Sequence, residues 1–165
     1  MAANWNQTKT TKSKPSPSWQ TLKADSVILI GSSSVDPVNP DDGIDMTQIS
    51  IMDANNDTIF HISTRRAQGQ IIFNSKLGGS WGEEERIDIA RRFDGEDRAT
   101  ILIHDREGFQ VSIDWVHAIW FARRAQGTTP QSIQYDLWNK EGTPALSEDL
   151  EVRTYSSFVP SKACP

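Results

Sequence analysis

Residues 61–86 read HISTRRAQGQIIFNSKLGGSWGEEER, and they contain two strand-like runs on either side of a short polar turn. Successive side chains of a β-strand point to opposite faces of the sheet. The apolar residues of the two runs therefore share the core face: Phe60, Ile62, Ile71 and Phe73. The polar residues of the same runs share the outer face: His61, Ser63, Arg65 and Asn74.

A third strand follows within residues 83–93, which we predict to be a strand and then a turn, although the composition also suits a helix. Glu84 and Arg86 fall on the face opposite Ile87. Trp81 stands just before this strand, after two glycines that allow a tight approach of the chain. Three adjacent strands can therefore bring polar groups and one indole ring to a single surface.

Outward from this stretch, short apolar runs separated by turn residues continue along the chain. Further strands are predicted at residues 26–30, 48–52, 100–104, 109–113, 118–123, 132–136 and 150–158. About ten short strands at near-regular spacing are typical of an antiparallel sandwich or barrel. The sequence therefore predicts an all-β fold.

The composition limits the classes of function. The chain has 165 residues with 36% hydrophobic residues and a net charge of −5, which suits one domain with one core. A basic footprint for nucleic acid is missing, so nucleic-acid binding is disfavoured. Cys164 is the single cysteine, so neither an internal disulfide nor a cysteine-based zinc site can form, and we expect no metal or other cofactor.

The two ends of the chain differ from the middle. Residues 1–20 are predicted to be an N-terminal arm, partly disordered or packed on the domain or on a partner subunit. Trp5 and Trp19 favour packing, because exposing a tryptophan to water is costly. One domain then covers residues 21–160, and residues 161–165 form a tail that carries Cys164.

The arm has lysines but no apolar run behind them, so we expect no secretory signal and therefore synthesis in the cytosol. Export to the cell wall or the extracellular space by a route without a signal peptide stays open. Three tryptophans outside the opening stretch, Trp115, Trp120 and Trp138, are predicted to lie in the core or at an interface. The arginine pairs at 91–92 and 123–124 are predicted to be solvated.

The groups on the predicted outer surface have the chemistry that a sugar requires. Arginine offers a fixed fork of donors, glutamate offers acceptors, and asparagine and histidine offer both. A tryptophan ring can cover the apolar C–H face of a pyranose. Burying about 60–100 Å² of apolar area in this way would contribute roughly 2 kcal/mol.

Three pieces of the sequence, HISTR at 61–65, IIFNS at 71–75 and WGEEER at 81–86, resemble the sugar-binding signature of the galectins, most closely the fungal members. The resemblance extends over residues 21–158. It implies a galectin-type jelly-roll β-sandwich of two antiparallel sheets, with residues 21–160 as the carbohydrate-recognition domain. It also implies a non-catalytic lectin for β-galactoside-terminated glycans such as lactose, N-acetyllactosamine and the Thomsen–Friedenreich type. Fungal galectins assemble, so a homodimer or homotetramer is implied, touching cell surfaces through glycans only.

The resemblance assigns roles to individual residues. His61 and Arg65 would bind the axial 4-hydroxyl of galactose, and Asn74 and Glu84 would bind its 6-hydroxyl. Trp81 would stack on the apolar face of the ring.

The remaining site residues include one departure from the family pattern. Arg65, Glu84 and Arg86 would form an ion network that reaches the second sugar. Ser63 stands where animal galectins have asparagine, which implies a shorter or water-mediated contact to the 4-hydroxyl. Thr64 likewise replaces a proline.

Three alternatives stay open. The specificity could be shifted to N-acetylgalactosamine or chito-oligosaccharides, although Trp81 favours galactosides because the chito-oligosaccharide-preferring fungal group lacks this tryptophan. The protein could be a carbohydrate-active enzyme on a related sandwich. Such an enzyme needs two carboxylates at a fixed separation across a cleft, and the adjacent residues of the run at 83–85 point to opposite faces. It could also be a structural protein whose motif has decayed.

Overall fold

The computed structural model describes residues 6–13, 26–37, 46–90, 92–93, 98–139 and 144–155. The regular elements in these ranges are β-strands, apart from one turn of 3₁₀ helix at Arg66–Gln68. No helix in the same ranges has the length and apolarity that a bilayer span requires. The strands are β1 (Asn6–Ser13), β2 (Ser26–Ser32), β3 (Met46–Met52), β4 (Thr58–Arg65), β5 (Gln70–Leu77), β6 (Ser80–Trp81), β7 (Glu85–Asp88), β8 (Ala99–Asp105), β9 (Gly108–Ile113), β10 (Val116–Ala122), β11 (Ser132–Asn139) and β12 (Leu150–Tyr155).

The predicted fold class is confirmed, because the strands form two antiparallel sheets that pack face to face. Each predicted strand appears, with its ends shifted by a few residues. The segment predicted as a strand and then a turn is β7 followed by a bend and a turn. Residues 156–158, the end of the last predicted strand, lie outside the described residues.

The larger sheet has seven strands in the order β1-β11-β3-β4-β5, with β6 and β7 following one another along the free edge of β5. In the β4–β5 pair, His61 lies opposite Asn74 and Ile62 lies opposite Phe73. Ile62 and Phe73 are buried in the core. The alternation read from the sequence therefore separates the core face from the outer face correctly on these two strands.

The smaller sheet has five strands in the order β10-β9-β8-β2-β12. On its inner face, Ile28 and Ile30 of β2 pair with Ile103 and Ile101 of β8, and all four are buried. Its outer face also carries apolar residues, since Leu29 pairs with Leu102 there. An apolar run on both faces explains why this strand shows no alternation in the sequence.

Four phenylalanines join the two sheets. Phe60 of β4 stacks on Phe109 of β9 with ring centroids 4.7 Å apart, and it meets the edge of Phe121 of β10 at 5.2 Å. Phe73 of β5 lies beside Phe60 at 6.2 Å. All four rings are fully buried. Offset and edge-to-face pairs add about 0.5–1.5 kcal/mol each beyond the area that they bury, so this cluster fixes β4 and β5 against the opposite sheet.

A strand that the sequence analysis does not predict lies at Asn6–Ser13, within the segment predicted to be an N-terminal arm. These residues form β1, which pairs with β11 from Asn6 opposite Asn139 to Ser13 opposite Ile133. Threonine favours strands, but the TKTTK sequence of this segment has no apolar residues whose alternation would predict one. Trp5, Trp19 and Cys164 lie outside the described residues.

Two of the tryptophans predicted for the core or an interface are on the surface. The exposed fraction is 71% for Trp115 and 46% for Trp120, so the core interpretation is wrong for both. Trp115 lies in the turn between β9 and β10, and Trp120 lies on β10 at the edge of the smaller sheet. The side chain of Trp138 lies outside the described part of the chain.

The prediction of a solvated Arg123 is also wrong. Its guanidinium forms an ion pair with Asp105, and both side chains are largely buried. Burial lowers the pKa of Arg123 below its ordinary value. The guanidinium also lies 4.7 Å from the ring centroid of Phe109, so this arginine covers the end of the core. Arg91 lies outside the described residues, and Arg92 donates a hydrogen bond to the carbonyl oxygen of His117 at 3.0 Å.

Candidate functional site

The outer face of the larger sheet carries two rows of side chains that run across its strands. One row contains Ser50, His61 and Asn74, which lie opposite one another on β3, β4 and β5. The neighbouring row contains Gln48, Ser63, Ile72 and Arg86. These rows form the floor of a depression on the sheet.

We call this depression the Trp81 cavity. Its volume is about 490 Å³. Its walls contain several of the residues predicted to bind a ligand together with apolar and backbone surface: Gln48, His61, Arg65, Ile72, Asn74, Trp81, Gly82 and Glu84. The structure thus brings His61, Arg65, Asn74, Trp81 and Glu84 together around one cavity. Arg86 contacts this group through Glu84.

An irregularity between β6 and β7 decides which side chains face the cavity. Trp81 pairs with Lys76, and Glu85 pairs with Phe73. The chain advances four residues from Trp81 to Glu85 while β5 advances only three from Phe73 to Lys76. This mismatch of one extra residue is a β-bulge. The bulge lies within residues 82–84 and puts the odd-numbered Trp81 and the even-numbered Arg86 on the same outer face.

Trp81 forms an exposed plate at one wall of the cavity. The turn before it contains Gly78 and Gly79, whose φ angles are 56° and 83°, and glycine adopts this region without strain. The amide of Gly78 donates to a carboxylate oxygen of Asp57 at 2.8 Å, which ties down the turn. The indole is 52% exposed, and its ring centroid lies 4.8 Å from that of His61. A large apolar surface thus stands open beside polar groups.

His61 is held neutral in the floor of the cavity. Its Nδ1 lies 2.9 Å from the hydroxyl of Ser50, so Nε2 is the nitrogen left for a ligand. The pKa of His61 is lowered from 6.5 to about 4, chiefly by burial and also by the charge of Arg65, while the charge of Glu84 opposes the shift. A neutral imidazole offers one donor and one acceptor, so this ring can exchange a hydrogen bond with a hydroxyl group.

Asn74 has one free hydrogen-bonding group. Its Oδ1 accepts from the amide of Ser75 at 2.8 Å and from Nη1 of Arg124 at 2.9 Å. Its Nδ2 donates one hydrogen to the carbonyl oxygen of Gly82 at 3.0 Å. An amide has two acceptor positions and two donor hydrogens. A single N–H of Asn74 therefore stays available to a ligand, in a fixed direction.

Arg65, Glu84 and Arg86 form the predicted ion network. Nη2 of Arg65 donates to Oε1 of Glu84 at 2.8 Å, and Nη2 of Arg86 donates to Oε2 at 2.8 Å. The hydrogen bond from Arg65 lowers the pKa of the Glu84 carboxyl, the charge of Arg86 adds to this effect, and burial opposes it. Glu84 is therefore an ionised acceptor between two arginines, and each partner limits the rotation of the others.

Ser63 belongs to a row of residues beneath the cavity, but its side chain does not line the cavity. Its side chain is fully buried, and its hydroxyl has no partner among the described residues. The neighbours in its row, Gln48 and Ile72, are longer and reach the cavity. A short side chain between two longer ones is covered by them. Ser63 is not among the residues that line the cavity, and its shorter or water-mediated contact with a sugar stays a prediction.

Arg124 is the important residue that the sequence analysis missed, since it is not solvated as predicted. Besides Asn74, it donates to the carbonyl oxygen of Glu83 at 2.7 Å and to the carboxylate of Glu85 at 3.2 Å. Its guanidinium lies 4.5 Å from the ring centroid of Phe121. Arg124 follows β10 of the smaller sheet, so it connects that sheet to the bulge. A Cβ at residue 82 would displace the end of the Arg124 side chain, so the glycine there leaves room for this guanidinium.

No local pattern could have found Arg124, because Asn74 is 50 positions away in the sequence. Gln48 and Ser50 are predicted only as part of a strand, and no pattern in the sequence assigns them to the site. The described ranges contain no group of three histidine, cysteine, aspartate or glutamate side chains that could hold a metal ion. The side chains that line the Trp81 cavity offer hydrogen-bonding groups and one indole ring for stacking.

Comparison with known proteins agrees with this chemistry. The sequence profile of the family described as galactoside-binding lectin matches residues 22–137. The chain belongs to the galectin family. It is 33% identical over 114 residues to proteins named Galectin-1 and Galectin-2 from Coprinopsis cinerea, which covers 68% of this chain and 67% of each relative. It is 31% identical over 117 residues to a protein of Cyclocybe aegerita named an anti-tumor lectin, covering 68% and 72%.

Solved galectin structures share the fold of this galectin. Sheep galectin-11 in complex with glycerol superposes with a TM-score of 0.59 at 14% identity, covering 89% of this chain and 96% of that one. A substituted human galectin-16 gives a TM-score of 0.61 at 17% identity, covering 90% and 95%. The predicted fungal galectin resemblance is confirmed, and the protein is a β-galactoside-binding lectin. Members of this family are non-catalytic, so the expectation of a lectin rather than an enzyme is confirmed as well.

We predict that Arg124→Ala weakens binding of methyl β-galactoside about tenfold, because the loss of one charge-assisted hydrogen bond lets the Asn74 amide rotate. The loss should be much smaller for methyl 6-deoxy-β-galactoside, which lacks the hydroxyl that Asn74 is expected to bind. Isothermal titration calorimetry measures both affinities.

Arg92→Ala is the matched control for this prediction, since the guanidinium of Arg92 donates to the carbonyl oxygen of His117 on the other sheet and not to a residue of the Trp81 cavity. This variant should bind both sugars as the unchanged protein does. Equal weakening of both sugars by Arg124→Ala would mean that Arg124 supports the fold and not the direction of Asn74.

We predict that lactose binding is nearly constant from pH 8 to pH 5 and falls near pH 4, where His61 takes up a proton. The pKa of His61 is about 4 in the folded chain and 6.5 when unperturbed. The same protonation affects folding. The contribution of the neutral His61 ring to the free energy of unfolding is fully present above pH 6.5 and is lost as the pH falls towards 4. The ¹H chemical shift of His61 Cε1–H in an NMR titration gives the midpoint, and a midpoint between 6 and 7 would contradict burial as the dominant cause.

Proposed function

We propose that this galectin uses the Trp81 cavity to bind glycans that end in β-linked galactose, such as lactose, N-acetyllactosamine and the Thomsen–Friedenreich disaccharide. The observation that carries the proposal is the exposed indole of Trp81 beside a ring of polar groups that are already hydrogen-bonded to one another. A hexose needs this combination, because it has one apolar face and several directional hydroxyl groups.

The roles follow from the hydrogen-bonding capacity that each side chain retains. The neutral imidazole of His61 and the fork of Arg65 would bind the axial 4-hydroxyl. The single free N–H of Asn74 would donate to the 6-hydroxyl, and the ionised Glu84 would accept from it. Trp81 would cover the C–H face of the ring.

The second sugar would lie towards Arg86. The side chain of Arg86 is half exposed, and its Nη1 also reaches Oε1 of Gln70 at 3.5 Å, so the guanidinium extends the polar wall beyond Glu84. Because Ser63 is covered, Gln48 is the floor residue that would take a contact in its place. A contact from Gln48 instead of Ser63 would affect the preference among galactose, N-acetylgalactosamine and chito-oligosaccharide termini.

Lactose and cellobiose test the proposal, because the two disaccharides differ only in the orientation of the 4-hydroxyl of the non-reducing sugar. The unchanged protein should bind lactose and should bind cellobiose at least about a hundredfold more weakly, since the inverted hydroxyl leaves His61 and Arg65 unpaired. Trp81→Ala should reduce the affinity for lactose by about 30-fold, which corresponds to roughly 2 kcal/mol of lost stacking. Calorimetric titration measures each affinity.

Trp120→Ala is the matched control, because Trp120 is a similarly exposed tryptophan on the other sheet. Its affinity for lactose should equal that of the unchanged protein. Unaltered lactose binding by Trp81→Ala would refute this site. Preference for chitobiose over lactose would move the specificity to the chito-oligosaccharide alternative.

We further propose that the protein assembles as a homodimer or homotetramer, so that several weak sites act together on a glycan-bearing surface. A single site binds weakly, because the gain of about 2 kcal/mol from stacking is partly offset by the entropy lost when the sugar is ordered. Linked sites raise the overall avidity by ~10²–10⁴-fold. Sedimentation equilibrium measures the mass, and agglutination of galactose-bearing cells measures multivalency. A monomer that fails to agglutinate at micromolar concentration would contradict the proposal.

A further inference from the structure

A second cavity lies on the outer face of the smaller sheet, on the opposite side of the sandwich from the Trp81 cavity. We call it the Trp115 cavity, and its volume is about 440 Å³. Leu29, Gly31 and Thr100 form its floor on β2 and β8. Trp115 stands at one wall, and Glu151 and Arg153 of β12 stand at another.

The conformation of Trp115 is unusual for its size. Asp114 and Trp115 form the two-residue turn between β9 and β10, and their φ angles are 48° and 68°. Turns of this kind favour asparagine or aspartate at the first position and glycine at the second, because a bulky side chain is strained at positive φ. The indole is also 71% exposed, the largest exposed fraction among the tryptophans described. Neither packing nor turn geometry accounts for a tryptophan at this position, and such outliers are found at functional sites.

The turn that carries Trp115 is fixed to the floor of the cavity. The amide of Asp114 donates to the carbonyl oxygen of Thr100 at 2.8 Å, and the amide of Thr100 donates to Oδ1 of Asp114 at 2.7 Å. These two bonds join the turn to β8. The indole is therefore presented by a held turn beside the cavity, and little order would have to be gained when a ligand stacks on it.

The opposite wall is an arginine–carboxylate pair. Nε and Nη2 of Arg153 donate to Oε1 of Glu151 at 2.8 and 2.6 Å. Oε2 of the same carboxylate lies 4.0 Å from the position that a Cβ at Gly31 would occupy, so the carboxylate overhangs the glycine floor. The wall thus presents a fixed acceptor and the remaining N–H groups of a guanidinium.

We infer that the Trp115 cavity is a second carbohydrate-binding site, separate from the Trp81 cavity. Both cavities combine an exposed indole, an arginine–carboxylate pair and a floor of strand residues, and their volumes are about 440 and 490 Å³. The ligand would be a neutral pyranoside, stacked on Trp115 with hydroxyl groups on Glu151 and Arg153.

The charge of the cavity selects a neutral ligand. Arg98 and Arg153 line it together with Asp149 and Glu151, so two basic groups face two acidic ones. A nucleic acid or another polyanion requires an excess of basic groups. A sugar without charged groups meets both donors and acceptors here, and the glycine in the floor leaves room for its ring.

NMR of protein labelled with ¹⁵N-tryptophan tests the inference in the Trp81→Ala background, which removes the first site. The probes are lactose, cellobiose, chitobiose and α-1,6-mannobiose, each titrated into the millimolar range. At least one should shift the indole N–H signal of Trp115 in a saturable way and leave that of Trp120 unmoved. Glu151→Gln in the same background should weaken this binding at least fivefold. If none of the four sugars shifts the Trp115 signal, the inference is wrong.

Trp115→Gly separates binding from folding. Because glycine fits the turn, this variant should melt at the same temperature as the unchanged protein or higher and should bind lactose at Trp81 equally well. A lower melting temperature would show that Trp115 serves the fold instead. A smaller mass in sedimentation would show that the cavity contacts a second copy of the chain, and that result would also overturn the inference.

Discussion

The packing of Phe60 against Phe109 and Phe121 is the contact on which the rest of the structure depends. It joins β4 of one sheet to β9 and β10 of the other. β4 also carries His61, the residue next to Phe60. Strand geometry then leaves little freedom, because burying Phe60 and Ile62 forces His61 to the outer face. The position of His61, a proposed binding group, is thus a consequence of core packing by the neighbouring residues of the same strand.

Above this core, the groups proposed to bind the sugar are held by hydrogen bonds within the protein itself. Glu84 is held by two arginines, His61 by Ser50, and Asn74 by Arg124 and the Gly82 carbonyl. Each of these contacts uses one part of a side chain and leaves another part for a ligand. A binding site of this kind loses little conformational entropy on capture, so most of the gain from stacking and hydrogen bonding is retained. The arrangement lowers the stability of the fold, because buried groups such as the hydroxyl of Ser63 have no hydrogen-bond partner in the described structure.

The sequence predicts those features that arise from alternation and from turn chemistry. The β4–β5 pair could be read in this way, because Phe60, Ile62, Ile71 and Phe73 alternate cleanly with polar residues. Features that depend on contacts between distant strands could not. Arg124 is joined to Asn74 only by the fold, and Trp115 resembles any core tryptophan until its turn is seen. β1 was missed for another reason, since a strand at the edge of a sheet needs no apolar face of its own.

The bulge at residues 82–84 has a further consequence for how such a surface can change. One extra residue against β5 is what sets Trp81 and Arg86 on the same side of the sheet. Removing it would restore strict alternation and rotate one of the two towards the core, with every other residue unchanged. The composition of this surface therefore depends on the number of residues between Trp81 and Arg86 as well as on the residue types. A chain could keep all the proposed binding residues and still lose Trp81 or Arg86 from this face by a single deletion.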